Sequence, residues 1–173
     1  MMTMKKQFVL LALLSLLGFS ACQKKNAPLF RGDYSFKTSG TVTLKEIMPP
    51  GSTEPGDELT VSLLNEIGQL EISALDGGKD SVIVVMNTMG GEVVVTRALC
   101  SGNEIFLRDF KKNTLLFAGD SITLRNELNV SASGRMYEDN TLIINMIYNG
   151  EAESNERSFR IHGEDIRLAA IRN

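Results

Sequence analysis

The chain has no tryptophan, three tyrosines, one histidine and two cysteines in 173 residues, and each shortage closes off some chemistry. With His162 the sole imidazole, a serine, threonine or cysteine nucleophile has almost no choice of histidine base. Phe159-Arg160-Ile161-His162 alternates, so His162 is expected to face solvent on a strand if Phe159 and Ile161 face a core. One histidine and a single free cysteine far from it in sequence do not make a zinc ligand set, and no metal or cofactor is expected. Aromatic residues make up 6% of the chain, too few for the two interfacial girdles of a membrane-spanning β-barrel. Acidic residues, 21, outnumber the 18 basic ones. The formal charge is −3, which disfavours nucleic acid and anionic headgroups as partners.

Some motifs fail on inspection. Asp76-Gly77-Gly78-Lys79-Asp80 lacks the spaced oxygen donors and distal bidentate glutamate of a calcium loop, and reads as a hairpin turn. Met89-Gly90-Gly91 is followed by neither a helix nor a Lys-Ser/Thr pair, so it is no phosphate loop.

The first 22 residues are organised differently from the rest. Lys5 and Lys6 form a positive start, the apolar run from Phe8 to Leu17 is too short to span a bilayer, and the small residues Ser20-Ala21 precede Cys22. Residues 1–22 resemble a signal-peptidase-II lipoprotein leader, with Phe19 standing where such leaders usually carry leucine. The resemblance implies that residues 1–21 are removed and that Cys22 becomes the lipid-bearing first residue. One acyl chain holds a protein only marginally, at about 0.8 kcal/mol per buried methylene, whereas two or three make the attachment effectively permanent. The polar segment Gln23-Lys24-Lys25-Asn26-Ala27-Pro28 suits a flexible tether, and residues 22–32 are assigned to it. Without Lys5 and Lys6 the formal charge falls from −3 to −5. Cys100 is then left without a disulfide partner, at the end of the apolar run Val93-Val94-Val95-Thr96-Arg97-Ala98-Leu99, where a small core residue is expected.

Residues 33–173 read as one domain of short strands. From Tyr34 to Leu44 the chain alternates, with Tyr34, Phe36, Val42 and Leu44 on one face and Ser35, Lys37, Ser39 and Thr43 on the other. Gly40 lies on the inward face, a position suited to the bend that closes a barrel. Met48 to Asp57 carries three of the four prolines and is a loop. Further β-like runs cover Glu58–Leu64, Gly68–Leu75, Ser81–Asn87, Gly91–Cys100, Asn103–Phe110, Thr114–Ala118, Ile122–Ala132 and Thr141–Asn149. Glu58–Leu64 also fits one face of a short helix, because Leu59, Leu63 and Ile67 recur every fourth residue. Ser158–His162 and Ile166–Ile171, separated by Gly163-Glu164-Asp165, read as a last hairpin. Asn126 shares the face of Leu124, Leu128 and Val130 and is expected to point inward; Leu142, Ile144, Met146 and Tyr148 share another inward face.

About ten strands with mainly local connections imply an all-β domain, a single antiparallel up-and-down meander closing into a barrel of about 8–10 strands. No fixed-period repeat points to a propeller or solenoid. The opening Tyr34-Ser-Phe-Lys-Thr-Ser-Gly-Thr-Val42, the glycine-punctuated hairpins and the closing Leu142-Ile-Ile-Asn-Met-Ile-Tyr-Asn-Gly150, behind a lipidated leader, resemble the lipocalin-like (calycin) barrel lipoproteins of Bacteroidetes. The resemblance spans roughly Arg31 to Asn173. Lipocalins carry a tryptophan near the first strand, and its absence here means that no particular lipocalin ligand is carried over.

What the resemblance implies is a cell-envelope lipoprotein that is not an enzyme. It would be held to the outer membrane through Cys22, its barrel binding a small apolar or amphipathic ligand or an envelope protein. Asn126, Met146 and Tyr148 are the ligand-lining candidates. Surface-exported lipoproteins of this bacterial group tend to carry acidic residues after the cysteine. Gln23-Lys24-Lys25-Asn26 carries none, which favours the periplasmic face. The alternative is an envelope glycan hydrolase, for which two of Glu66, Glu71, Glu104, Asp109 and Glu127 would have to converge at a separation of about 5–9 Å.

Overall fold

The computed structural model of the protein describes residues 26–63, 65–75, 78–118, 122–154 and 157–173. The anticipated leader, the lipidation position Cys22 and the turn residues Asp76 and Gly77 lie outside the described residues.

The alternation read from sequence sets the architecture. On β1 (Gly32–Ser39), Tyr34, Phe36 and Thr38 are buried while Asp33, Ser35, Lys37 and Ser39 are exposed. After Gly40 the chain continues as β2 (Thr41–Glu46), then β3 (Glu58–Ser62) and β4 (Ile67–Ala74). The ambiguous Glu58 segment is therefore a strand. β5 (Ser81–Thr88) and β6 (Val93–Ser101) form a short hairpin, and the meander ends in four long strands, β7 (Glu104–Ala118), β8 (Ile122–Met136), β9 (Thr141–Ser154) and β10 (Arg157–Arg172).

Every neighbouring pair is antiparallel. The order β1-β4-β5-β6-β7-β8-β9-β10 closes through β10 on β1, giving an eight-stranded barrel, and β2 and β3 continue the sheet as two further strands on β10. The expected lipocalin-like up-and-down barrel is the fold found. β10 pairs with β9 along one edge and serves two partners on the other: Phe159–His162 pairs with β2, and Arg167–Arg172 pairs with β1. One bent strand, broken at Gly40, thus follows the whole length of β10.

Two readings need correction. The runs Asn103–Phe110 and Thr114–Ala118 are not separate strands but parts of the continuous β7, which carries one extra residue between Leu107 and Phe110 opposite Ala132 and Val130. Gly163-Glu164-Asp165 does not turn the chain. Gly163 faces Tyr148 and Ile166 faces Met146, so the segment is a one-residue bulge within β10, and the last hairpin is a single strand. Turn-forming residues and bulge-forming residues are the same types, and only the partner strand's continuity separates the two outcomes.

The interior is apolar. Tyr34, Leu44, Leu70, Ile105, Leu116, Leu128, Leu142 and Ile144 are fully buried, each contributing about 1.5–3 kcal/mol of burial free energy. A membrane-spanning barrel has the opposite alternation, apolar outside and polar within. Among the described residues no helix is long and apolar enough to cross a membrane.

Ala27 to Phe30, read with the tether, form a helical turn, α1 (Ala27–Phe30), whose Ala27 and Phe30 belong to the core. Buried apolar side chains draw this segment into the domain. Tyr34 Oη donates to Phe30 O at 2.6 Å, and the Arg172 guanidinium donates to Tyr34 Oη at 2.7 Å and to Leu29 O. The last strand thereby locks α1 over the end of the barrel where β4 and β6 finish.

Candidate functional site

Met146 and Tyr148 project from β9 into the interior, as anticipated, and both are buried. They sit opposite the β10 bulge, Met146 facing Ile166 and Tyr148 facing Gly163. Gly163 has no room for a side chain: a Cβ there would lie 2.8 Å from Val42 Cγ1. The third candidate, Asn126, pairs through its backbone with Thr114, and its side chain lies outside the described residues.

The barrel wall near Tyr148 is built unusually. β6 pairs with β7 only from Ala98 to Ser101, and beyond the bulge at Leu107–Phe110 the second half of β7 leaves β6. β3, at the end of the sheet, lies close to β7, and among the described residues no backbone ladder joins the two. Side chains bridge the seam. Lys112 reaches inward from β7 with its side chain 6% exposed, and its Nζ meets Glu66 Oε2 at 2.9 Å and Glu92 Oε2 at 2.8 Å. Glu66 comes from the β3–β4 link and Glu92 from the β5–β6 turn. The second oxygen of Glu92 accepts the Asn113 backbone N–H at 2.6 Å, so this carboxylate supplies β7 with a hydrogen bond that β6 no longer provides. On β6 itself, the Thr96 hydroxyl donates to Arg108 O at 3.0 Å, a side-chain bond in place of a ladder bond.

Tyr148 Oη is buried and has no hydrogen-bond partner among the described residues. Burial first, and then the negative charges of Glu66 and Glu92, push its pKa well above that of a free tyrosine. The seam therefore brings together a hydroxyl, an ammonium and two carboxylates against an apolar interior containing Met146. Lys112 was missed in the sequence reading, although it keeps the inward phase of Phe110 and Leu116 on the same strand.

The acids proposed for hydrolysis do not gather. Glu104 pairs with Arg135, Glu127 with Lys111, and Asp109 accepts from Ser131, all at exposed positions, while Glu71 is exposed on β4. Glu66 alone among them meets another carboxylate, that of Glu92, and Lys112 stands between the two. A retaining or inverting pair needs that intervening space for a glycosidic bond or a water.

His162 is on the outer face, as expected, between Asn149 Oδ1 at 2.7 Å and Glu164 Oε1 at 2.9 Å. At the barrel end opposite α1, Arg157 grips Glu46 through two bonds of 2.7 and 2.6 Å and Asp57 through one of 2.6 Å, tying down the proline-rich loop. Those bonds from Arg157 hold the Glu46 carboxyl below its usual range. Among the described residues no three histidine, cysteine or acidic side chains cluster as a metal site would require.

Cys100 is free and buried, and burial followed by the Asp80 charge pushes its thiol up to about 11 from 9.0. An acid with a raised folded pKa stabilises fully below its unfolded pKa, and that contribution is lost as pH rises through the folded value. Stability is therefore expected to fall between 9.0 and about 11, and Cys100→Ala should flatten that fall. Urea midpoints across this window in both proteins provide the check. No protein-family model matches the chain, and no curated protein matches it significantly.

Proposed function

We propose that the protein is a lipid-anchored lipoprotein of the bacterial cell envelope that works by binding. Cys22 carries the lipid, the outer membrane is the site of attachment with the domain on the periplasmic side, and the barrel takes a small amphipathic ligand. The observation that carries the binding reading is the Tyr148 hydroxyl, buried beside the charged Glu66–Lys112–Glu92 group yet without a hydrogen-bond partner among the described residues. Such a hydroxyl costs about 1–3 kcal/mol to leave unsatisfied, and a ligand with one polar group and an apolar body would satisfy it. The seam between β3 and β7 supports this reading as the route of entry, because side chains rather than a ladder hold it shut. Lys112, lying between Glu66 and Glu92, weighs against the hydrolase alternative.

The test is native mass spectrometry of the full chain purified from its own host, beside Tyr148→Phe. A small-molecule adduct on the natural protein, lost in the variant, is the expected result. An adduct-free protein would move the reading to binding of an envelope protein through loops and outer surface. Independently of any ligand, Tyr148→Phe removes only an unsatisfied group. It is expected to leave the unfolding free energy unchanged or raise it by about 1 kcal/mol, whereas Tyr34→Phe, which loses bonds to Phe30 and Arg172, should lower it. Urea denaturation of the two variants side by side distinguishes the signs.

A further inference from the structure

Exposed apolar side chains concentrate on the outer face of β6 and the start of β7, while single ones stand elsewhere, among them Ile67 on β4, Ile147 on β9 and Ile171 on β10. Val93, Val95 and Leu99 are each more than 60% exposed on β6, and Phe106 is 47% exposed beside Leu99 on β7. At the α1 end of this face lies a groove of about 350 Å³ whose lining includes Leu75, Ser81, Leu99 and Phe106, with Arg97 and Arg108 beside them. Neither arginine forms an ion pair with a described residue. The two acids that flank the groove are held elsewhere, Asp80 by Asn26 and Glu104 by Arg135.

The chain enters the fold beside this groove. Asn26 bonds through its backbone N–H and its side-chain amide to Asp80 Oδ1, at 3.2 and 3.1 Å, and Asp80 immediately precedes the groove residue Ser81. Between Asn26 and Cys22 lie three residues, so a lipid on Cys22 can be no more than about 14 Å from Asn26 even with the chain fully extended. Any bilayer holding that lipid lies within reach of the groove.

We propose that this groove docks on the bilayer that holds the anchor, Leu99 and Phe106 entering the interfacial region and Arg97 and Arg108 meeting phospholipid phosphates. The inference rests on the lipid-anchor reading. The net charge of the whole protein opposes general adhesion to an anionic surface, but attachment through Cys22 makes the contact local. There Arg97 and Arg108, unpaired with any described residue, and an apolar floor match a phospholipid's phosphate and upper acyl chains. Docking would lay the β5–β6–β7 side against the membrane and leave β9 and β10 facing away.

The experiment uses the full chain made with its leader in a bacterial host, in a Cys100→Ala background, with a fluorophore on Leu99→Cys or on Ile147→Cys of β9. Intact mass first establishes whether Cys22 carries lipid. The protein is then reconstituted into phosphatidylethanolamine–phosphatidylglycerol vesicles whose acyl chains bear bromine quenchers. Quenching at position 99 is expected to exceed that at position 147 at least about threefold, and to drop to the position-147 level when Arg97→Glu and Arg108→Glu are added. Equal quenching at both positions on a lipidated protein overturns the docking and leaves the anchor standing. A protein without lipid on Cys22 overturns the anchor reading and the docking with it. Concentration-dependent shielding of position 99 without vesicles assigns the face to a second copy of the chain and also overturns the proposal.

Discussion

Lys112→Met is expected to lower the unfolding free energy by about 3 kcal/mol. Losing one partner from a fully buried ion pair costs about 3–5 kcal/mol, because the remaining charge keeps its desolvation penalty without its compensation. Here the Lys112 side chain is 6% exposed, but Glu66 is 27% and Glu92 20% exposed, so some water reaches the carboxylates. That sets the expectation at the low end of the range. The methionine still fills the space of the lysine stem, so packing is nearly conserved and the loss reports the charge. Adding Glu66→Gln and Glu92→Gln to Lys112→Met should recover most of the stability, since the triple variant leaves no unpaired charge at the seam. Urea unfolding of the single and triple variants tests this. A single variant within 0.5 kcal/mol or so of the natural protein would show that surface water rather than Lys112 satisfies the two acids.

The same seam separates what was legible in the sequence from what was not. Alternation identified β4, β5 and β6 to within two residues, because one face of each is buried and the other solvated; it found the start of β9 but stopped at Asn149, five residues short of its end, and it read Tyr34–Leu44 as one strand where the structure breaks it at Gly40 into β1 and β2. It also placed Met146 and Tyr148 inward, since they keep the phase of Leu142 and Ile144. What alternation does not carry is the identity of the facing strand. That β7 abandons β6 at Leu107, and that residues from the β3–β4 link and the β5–β6 turn bridge the resulting gap, depends on separations of 46 residues for Lys112 with Glu66 and 20 with Glu92. Lys112 falls between the expected runs Asn103–Phe110 and Thr114–Ala118, where no strand was read. Its phase with Phe110 and Leu116 becomes visible only once β7 is known to be continuous. Gly163-Glu164-Asp165 failed for a related reason: its local chemistry serves a turn or a bulge equally, and Met146 and Tyr148 on the facing strand decide between them. Asn126 was placed by phase alone, on the part of β8 whose side chains lie outside the described residues.

Gly40 was legible as a bend, and its replacement should have an effect comparable to that of Lys112. Its φ is +149°, a region that residues with a Cβ rarely adopt, and a Cβ built there would lie 2.6 Å from Asp165 O and 2.8 Å from Ile166 Cα. Both obstructing atoms are backbone or bonded directly to it, and they belong to the β10 bulge, so neither can swing aside. Conformational strain of about 1–3 kcal/mol and overpacking of about 1–3 kcal/mol should combine in Gly40→Ala to a loss of about 3 kcal/mol or more. Gly51→Ala is the control: its φ is +92°, but nothing lies within 4 Å of the added Cβ, so only the conformational part remains. The difference between the two variants in urea unfolding isolates the crowding against β10. If Gly40→Ala costs no more than Gly51→Ala, the bend is not fixed by its contact with the bulge. If it costs more, as expected, the consequence reaches the interior, because the Gly40 carbonyl accepts the Leu63 N–H at 2.9 Å and so helps hold the chain leading from β3 to Glu66. Disturbing the bend should loosen β3 from its place beside β7 and open the seam toward Tyr148. Faster amide exchange at Leu63 and in the second half of β7 would report that opening in Gly40→Ala before global unfolding.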